Sequence, residues 1–474
     1  MTKLPIPPTS MLEDLTGRFL TSVQGMPVRP SLSRQELRVR LSRYDFETAL
    51  PLGEVLADVT ELLGHGDLHA IHRRYFGLFV PTVGTAGVAG DLLAALANPQ
   101  LGAWWHAPAA NEIEARALEF LCGCVGFDAT TSYATFTSGG SESNLTGVLA
   151  ALAHRFPGSG ADGLASLPRR PAMYASDQAH ESLAKVAHVA GLGRSSFRRV
   201  RCDGRGRLEV GELARRVEGD WRGGCEPFLV VGTAGTTALG SIDPLGDLAA
   251  YCEAEGLWLH VDAAWGGLGL LSSRLRPALA GIERANSVAW DAHKTLPVPM
   301  GAGMIFLRGV EGARAAESAF DVRTGYVPET TPGTVDLYRR SLQWSRRFIG
   351  LKVFLTLAER GASGLARLVE HQADMAALLR GQLIARGWTV VNDTPLPLVC
   401  FSHQALRPSR ERVPALLDRV LSTGGVWLSE VRLGAEHHLR ACITNHATGP
   451  EDVQALVDAL VRALREGESS RGGV

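Results

Sequence analysis

From about Asn111 to Leu307 the chain alternates helix-like stretches with short apolar or β-branched runs, and this rhythm constrains the fold most. Asn111–Gly123 reads as a helix. Tyr133–Thr137 reads as a strand, followed by Ser138-Gly139-Gly140 and a helix through Ala153. Further strands are expected at Pro171–Ala175, Pro227–Thr233, Leu257–Asp262, Ser287–Asp291 and Gly303–Leu307, with helices at His180–Ala190 and Leu245–Glu255. Strands separated by helices predict an α/β fold with a mostly parallel sheet covered on both faces. In such sheets ligands bind beyond the carboxyl ends of the strands, so informative residues should follow strands directly.

The flanks are organised differently. The first ~35 residues are rich in Pro, Ser and Thr and read as an arm. Gln35–Tyr44 and Leu52–Leu63 have helical spacing, and residues 1–75 are expected to pack on a partner subunit. Residues 76–362 form the expected large domain, ending in a loop (Thr324–Arg340) and a long helix from about Leu342 to Arg360. Residues 363–474, with helices Leu365–Arg386 and Pro450–Arg465 around short strands, read as a smaller C-terminal α/β domain.

Lys plus Arg total 48 against 49 Asp plus Glu, so no basic field attracts nucleic acid and no polybasic run suggests a membrane surface. No stretch approaches the ~18–20 apolar residues that span a bilayer. Met1-Thr2-Lys3-Leu4-Pro5 lacks the apolar run of a signal peptide, and the seven scattered cysteines fit reduced thiols. A cytoplasmic protein is expected. Cys122 and Cys124 sit in an apolar stretch with no second Cys/His pair at suitable spacing, so no metal site is expected.

Only four of the basic residues are lysines: Lys3, Lys185, Lys294 and Lys352. Lys294 follows a strand directly in Trp290-Asp291-Ala292-His293-Lys294-Thr295, a context that would hold a reactive amine rigidly at a pocket. Lys185 and Lys352 lie within amphipathic helices and read as solvated surface lysines, and Lys3 is in the arm. Asp262 ends the strand Leu257–Asp262, where a carboxylate is costly unless it meets a cation or donor. A protonated pyridine nitrogen would satisfy it, and an N-cap or structural ion pair is the alternative. Thr137-Ser138-Gly139-Gly140-Ser141-Glu142-Ser143-Asn144 opens a helix and offers free N–H groups to a phosphate. His180, in Asp177-Gln178-Ala179-His180, follows another strand and would stack on an aromatic cofactor or cap a helix.

These segments, with Gly235-Thr236-Thr237, His260-Val261-Asp262-Ala263-Ala264 and His293-Lys294, resemble the group II pyridoxal 5′-phosphate (PLP) dependent amino-acid decarboxylases. That family includes aromatic amino-acid, glutamate and diaminobutyrate decarboxylases. The likeness runs from roughly Leu52 to Asn445 with five motifs in order. It implies the aspartate-aminotransferase-like PLP fold (fold type I) with a seven-stranded sheet, and decarboxylation of an L-amino acid to its amine and carbon dioxide. Another PLP reaction on the same scaffold (aldehyde synthase, retro-aldol lyase or transaminase) and a non-catalytic scaffold are the competing readings.

Residue by residue, the resemblance implies that Lys294 carries PLP as a Schiff base and Asp262 meets the ring nitrogen. His180 stacks on the ring, with Ala264 beneath it. Gly140, Ser141 and His293 hold the phosphate, and Thr236 touches the ring's oxygen substituent. Arg440 meets the substrate carboxylate. Phe79 and Pro81, with Trp105 and His106, resemble the family's substrate-pocket segments, some of them reaching a neighbouring subunit, which implies a homodimer with shared active sites. Their aromatic character favours an aromatic or bulky substrate. The family's proton donor is a loop tyrosine. Tyr338 falls one residue from that place, which Leu337 occupies, and Tyr326 is the alternative.

Overall fold

The computed structural model describes residues 17, 26–322, 324–325, 332–406 and 411–469. Seven strands form the large sheet: β1 (Tyr133–Thr137), β2 (Arg170–Ser176), β3 (Phe197–Val200), β4 (Cys225–Thr233), β5 (Trp258–Asp262), β6 (Ser287–Asp291) and β7 (Gly303–Leu307). Their spatial order is β1-β7-β6-β5-β4-β2-β3. β7 runs antiparallel to both neighbours, and the pairs from β6 through β3 are parallel. The fold is therefore α/β with a mostly parallel sheet, as the alternation predicts, and the sheet has the seven strands that the resemblance implies. β4 to β7 are apolar and buried almost throughout, as strands covered on both faces must be. Phe197–Val200 escapes prediction because four residues reading Phe-Arg-Arg-Val carry no clear strand period.

Register sets the site. Thr233, Asp262 and Ala289 lie side by side across β4, β5 and β6, so these strands end at one level. Helix α1 (Pro108–Val125) packs on this body, and α2 (Gly140–Arg155) begins one turn after β1. A second sheet joins β8 (Trp388–Val390), β9 (Leu398–His403), β10 (Trp427–Leu433) and β11 (Glu436–Cys442), with Tyr75–Phe76 added parallel to β10. Between the sheets runs α3 (Gly350–Ile384), later in its start than expected and broken at Gly361, whose φ of 59° favours glycine. The expected loop Thr324–Arg340 is tied to the segment before α1 where it is described: Tyr338 N donates to Gly102 O and Trp104 N donates to Asp336 Oδ1.

Lys352 departs from the surface role read for it. It is 3% exposed, with Nζ donating to Asp91 Oδ2 at 3.2 Å and to Met300 O at 2.9 Å. The helical period around it is amphipathic, but its neighbour Gly90 lets another helix cross at its backbone. Lys185 is exposed as expected, and Lys3 lies outside the described residues. No helix among the described residues is long and apolar enough to cross a membrane.

Candidate active site

A cavity of ≈ 320 Å³ opens at the carboxyl ends of β4, β5 and β6. Lys294 reaches it from a helical turn, Ala292–Thr295, directly after β6. Two hydrogen bonds brace this turn: Thr295 Oγ1 donates to Asp291 O at 3.0 Å and accepts from Trp290 Nε1 at 3.1 Å. The amine is thus held on rigid backbone, with about a quarter of its side chain exposed toward the cavity.

Asp262, which lines the same cavity, ends β5 and is 6% exposed. Its Oδ1 accepts from Ala264 N at 3.1 Å and its Oδ2 from Asn144 Nδ2 at 2.9 Å. His180 lines the mouth, its Nδ1 accepting from Ser182 N. Gly140 and Ser141 form the floor where α2 begins. His293 Nδ1 accepts from Ala302 N at 3.1 Å, so the neutral ring carries its proton on Nε2; burial lowers its pKa and keeps it neutral.

Asp291 has the strongest claim among residues that the motifs left without a role. It is wholly buried, three residues before the lysine, with Oδ2 2.9 Å from Lys294 Nζ. That distance makes an ion pair, yet neither carboxylate oxygen has an aligned hydrogen-bond donor. The signal was available in the i, i+3 spacing of an acid and the lysine on one turn. Glu142 and Trp265 also line the cavity.

The other sequence-predicted residues are divided between the cavity wall and its surroundings. Thr236 is buried beside the cavity, its Oγ1 accepting from Leu239 N and Ser241 N within its own turn, and Thr237 lines the cavity instead. Phe79 lines the cavity and stacks on Trp265 with centroids 4.3 Å apart. Arg440 lies over Phe79 at 4.8 Å, donates to Thr237 O and Gly77 O, and keeps Nη2 unpartnered and buried. Pro81, Trp105 and His106 do not line the cavity; Trp105 is 44% exposed. Tyr338 is buried against Trp344, off the cavity wall, and Tyr326 lies outside the described residues.

Residues 39–404 match the family model of the pyridoxal-dependent decarboxylase conserved domain. The chain belongs to this family. This decarboxylase is thus a PLP-dependent carboxy-lyase acting on an amino acid. It is 30% identical to cysteine sulfinic acid decarboxylase of Homo sapiens, over 82% of this chain and 82% of that protein. It is 27% identical to the aromatic-L-amino-acid decarboxylase of Bacillus atrophaeus, over 96% of this chain and 94% of that one. The crystal structure of mouse CSAD superposes with a TM-score of 0.90 at 28% identity, covering 97% and 99% of the two chains. The decarboxylase's own residues fit the cofactor. A Cβ at Gly140 would stand 3.0 Å from Asp291 Oδ2 and 3.2 Å from Ala264 Cβ, so glycine leaves a cradle there at a helix N-terminus.

Proposed function

We propose that this decarboxylase binds PLP through Lys294 and acts on an aromatic or otherwise bulky L-amino acid. The observation that carries the site is that the strand-end amine of Lys294 and the buried carboxylate of Asp262 line one cavity. Bound PLP supplies a sink for the electron pair left when the bond from Cα to the carboxylate breaks. Asp262 holds a proton at the pyridine nitrogen. His180 and Ala264 cover the two faces, while Gly140, Ser141 and His293 take the phosphate. Thr236 shapes the turn that offers Thr237 to the ring's oxygen substituent. Arg440 grips the substrate carboxylate, and Tyr338 returns a proton to Cα.

The stacked Phe79 and Trp265 support a flat or bulky side chain. Trp105 and His106 serve a second subunit's cavity in a homodimer with shared sites. Support for that assembly comes from Val88, Leu92 and Leu96, an exposed apolar stripe at helical spacing on Thr85–Ala97. The seven unpaired cysteines support a reducing, cytoplasmic setting. The break at Gly361 supports a division of the chain at 362/363, with residues 1–75 as an arm packed on the partner.

A second reading, a short acidic side chain, is favoured by the unpartnered Nη2 of Arg440 and by the likeness to cysteine sulfinic acid decarboxylase. Carbon dioxide release from a panel of aromatic and acidic amino acids decides between them: turnover confined to acidic members overturns the bulky-substrate reading. Lys294→Ala should lose the yellow chromophore and its fixation by borohydride, and retention of both would refute the assignment of the lysine.

A further inference from the structure

Asp262 ends a row of five buried side chains joined by hydrogen bonds. Trp258 Nε1 lies 2.8 Å from Ser287 Oγ, and Ser287 Oγ lies 2.8 Å from His260 Nδ1. His260 Nε2 lies 3.0 Å from Asn144 Oδ1, and Asn144 Nδ2 lies 2.9 Å from Asp262 Oδ2. None of the five is more than 6% exposed. The direction of the row follows from what each group can do. An indole N–H only donates, so Ser287 Oγ accepts from Trp258 and its single proton is left available to His260 Nδ1. A neutral imidazole that accepts at Nδ1 carries its proton on Nε2. That proton meets the carbonyl oxygen of Asn144, and the amide's NH₂ is left facing the carboxylate.

The surroundings enforce this arrangement. Burial holds His260 neutral, opposed by the charge of Asp262, the one charged group among the described residues that bears on it. Its register partners on β4 and β6 are Val231 and Ser287. On α2, a Cβ at Gly147 would stand 2.7 Å from His260 Cε1 and Nδ1, so glycine is what lets the helix approach the ring. Were the proton on Nδ1, Asn144 would have to turn its oxygen toward Asp262. Two acceptors would then face each other unless Asp262 took a proton and lost its charge.

We propose that Trp258 and Ser287 are positioning residues that set the tautomer of His260 and, through Asn144, hold the Asp262 carboxylate in place as an acceptor toward the cofactor's ring nitrogen. The inference rests on the role given to Asp262 above. It is tested in two ways. The ¹⁵N shifts of the His260 imidazole in the apo-protein at neutral pH should place the proton on Nε2; a proton on Nδ1 overturns the inference, whether or not any variant folds. Absorbance titration of the apo-protein with PLP should then show a dissociation constant raised about tenfold in Ser287→Ala, with mixed His260 tautomers. Ser287→Thr, which keeps the hydroxyl, should restore both. Asp262→Ala is titrated beside them. If it loses affinity while Ser287→Ala binds PLP as the wild type does, the relay fails and the role of Asp262 stands. If Asp262→Ala binds normally, that role fails and the relay's link to the cofactor falls with it.

Discussion

Lys294 owes its setting to three neighbours on one turn. Trp290 and Thr295 brace the backbone, and Asp291 places a buried negative charge 2.9 Å from the amine. In the same cavity the Asp262 carboxylate accepts from two N–H donors, Asn144 Nδ2 and Ala264 N. Two predictions belong at this scale. Tyr338→Phe should slow amine formation or divert product to the aldehyde, as measured by product analysis; unaltered amine yield would remove Tyr338 from the reaction. His260 has its pKa pushed below the ordinary 6.5 by burial. A lowered pKa means the unfolded chain binds the proton that the folded chain refuses, so stability is lost as pH falls below that value. In urea unfolding of the apo-protein, His260→Gln should flatten the decline between about pH 7 and 5 by roughly 1–2 kcal/mol. An identical slope in both proteins would contradict it.

Among the elements, α1, β1 and the segment before α3 are tied by one buried ion pair. Glu114 and Arg346 are each about 2% exposed or less, with Arg346 Nη2 3.6 Å from Glu114 Oε2. Gly350 N donates to Glu114 Oε1 at 2.7 Å, and Arg346 donates to Thr135 Oγ1, Phe136 O and Ser341 Oγ. Burial raises the pKa of Glu114, and the nearby guanidinium opposes that shift. Removing one partner leaves a buried charge uncompensated. Arg346→Met should therefore cost about 3–5 kcal/mol, read as a lowered urea midpoint. The double variant with Glu114→Gln should recover part of the loss; a double variant as unstable as Arg346→Met would exclude the ion pair as the cause.

For the whole molecule, the large sheet carries the cavity, while β11, an interior strand of the smaller sheet, brings Arg440 over Phe79. On the proposed dimer, the stripe of Val88, Leu92 and Leu96 is the face a second copy covers. Sedimentation should find a dimer, and Leu92→Glu with Leu96→Glu should yield a monomer with strongly reduced turnover. A wild-type monomer with full activity would sink the shared-site arrangement.

How much was legible follows from the range of the forces involved. Strand and helix periods are local, so the ends of Tyr133–Thr137, Leu245–Glu255, Ser287–Asp291 and Gly303–Leu307 could be read directly from the chain. A strand-end acid and a strand-end lysine are local signals too, and they marked Asp262 and Lys294 because parallel strands deliver their carboxyl ends to one place. Contacts between distant segments left no such mark. The burial of Lys352 depends on a helix crossing at Gly90, and the inward turn of Thr236 depends on the fold of its own loop. The row from Trp258 to Asp262 joins residues up to 118 positions apart. Hydrogen bonds across such separations exist only once packing has set distances and excluded water, and a one-dimensional pattern does not carry them.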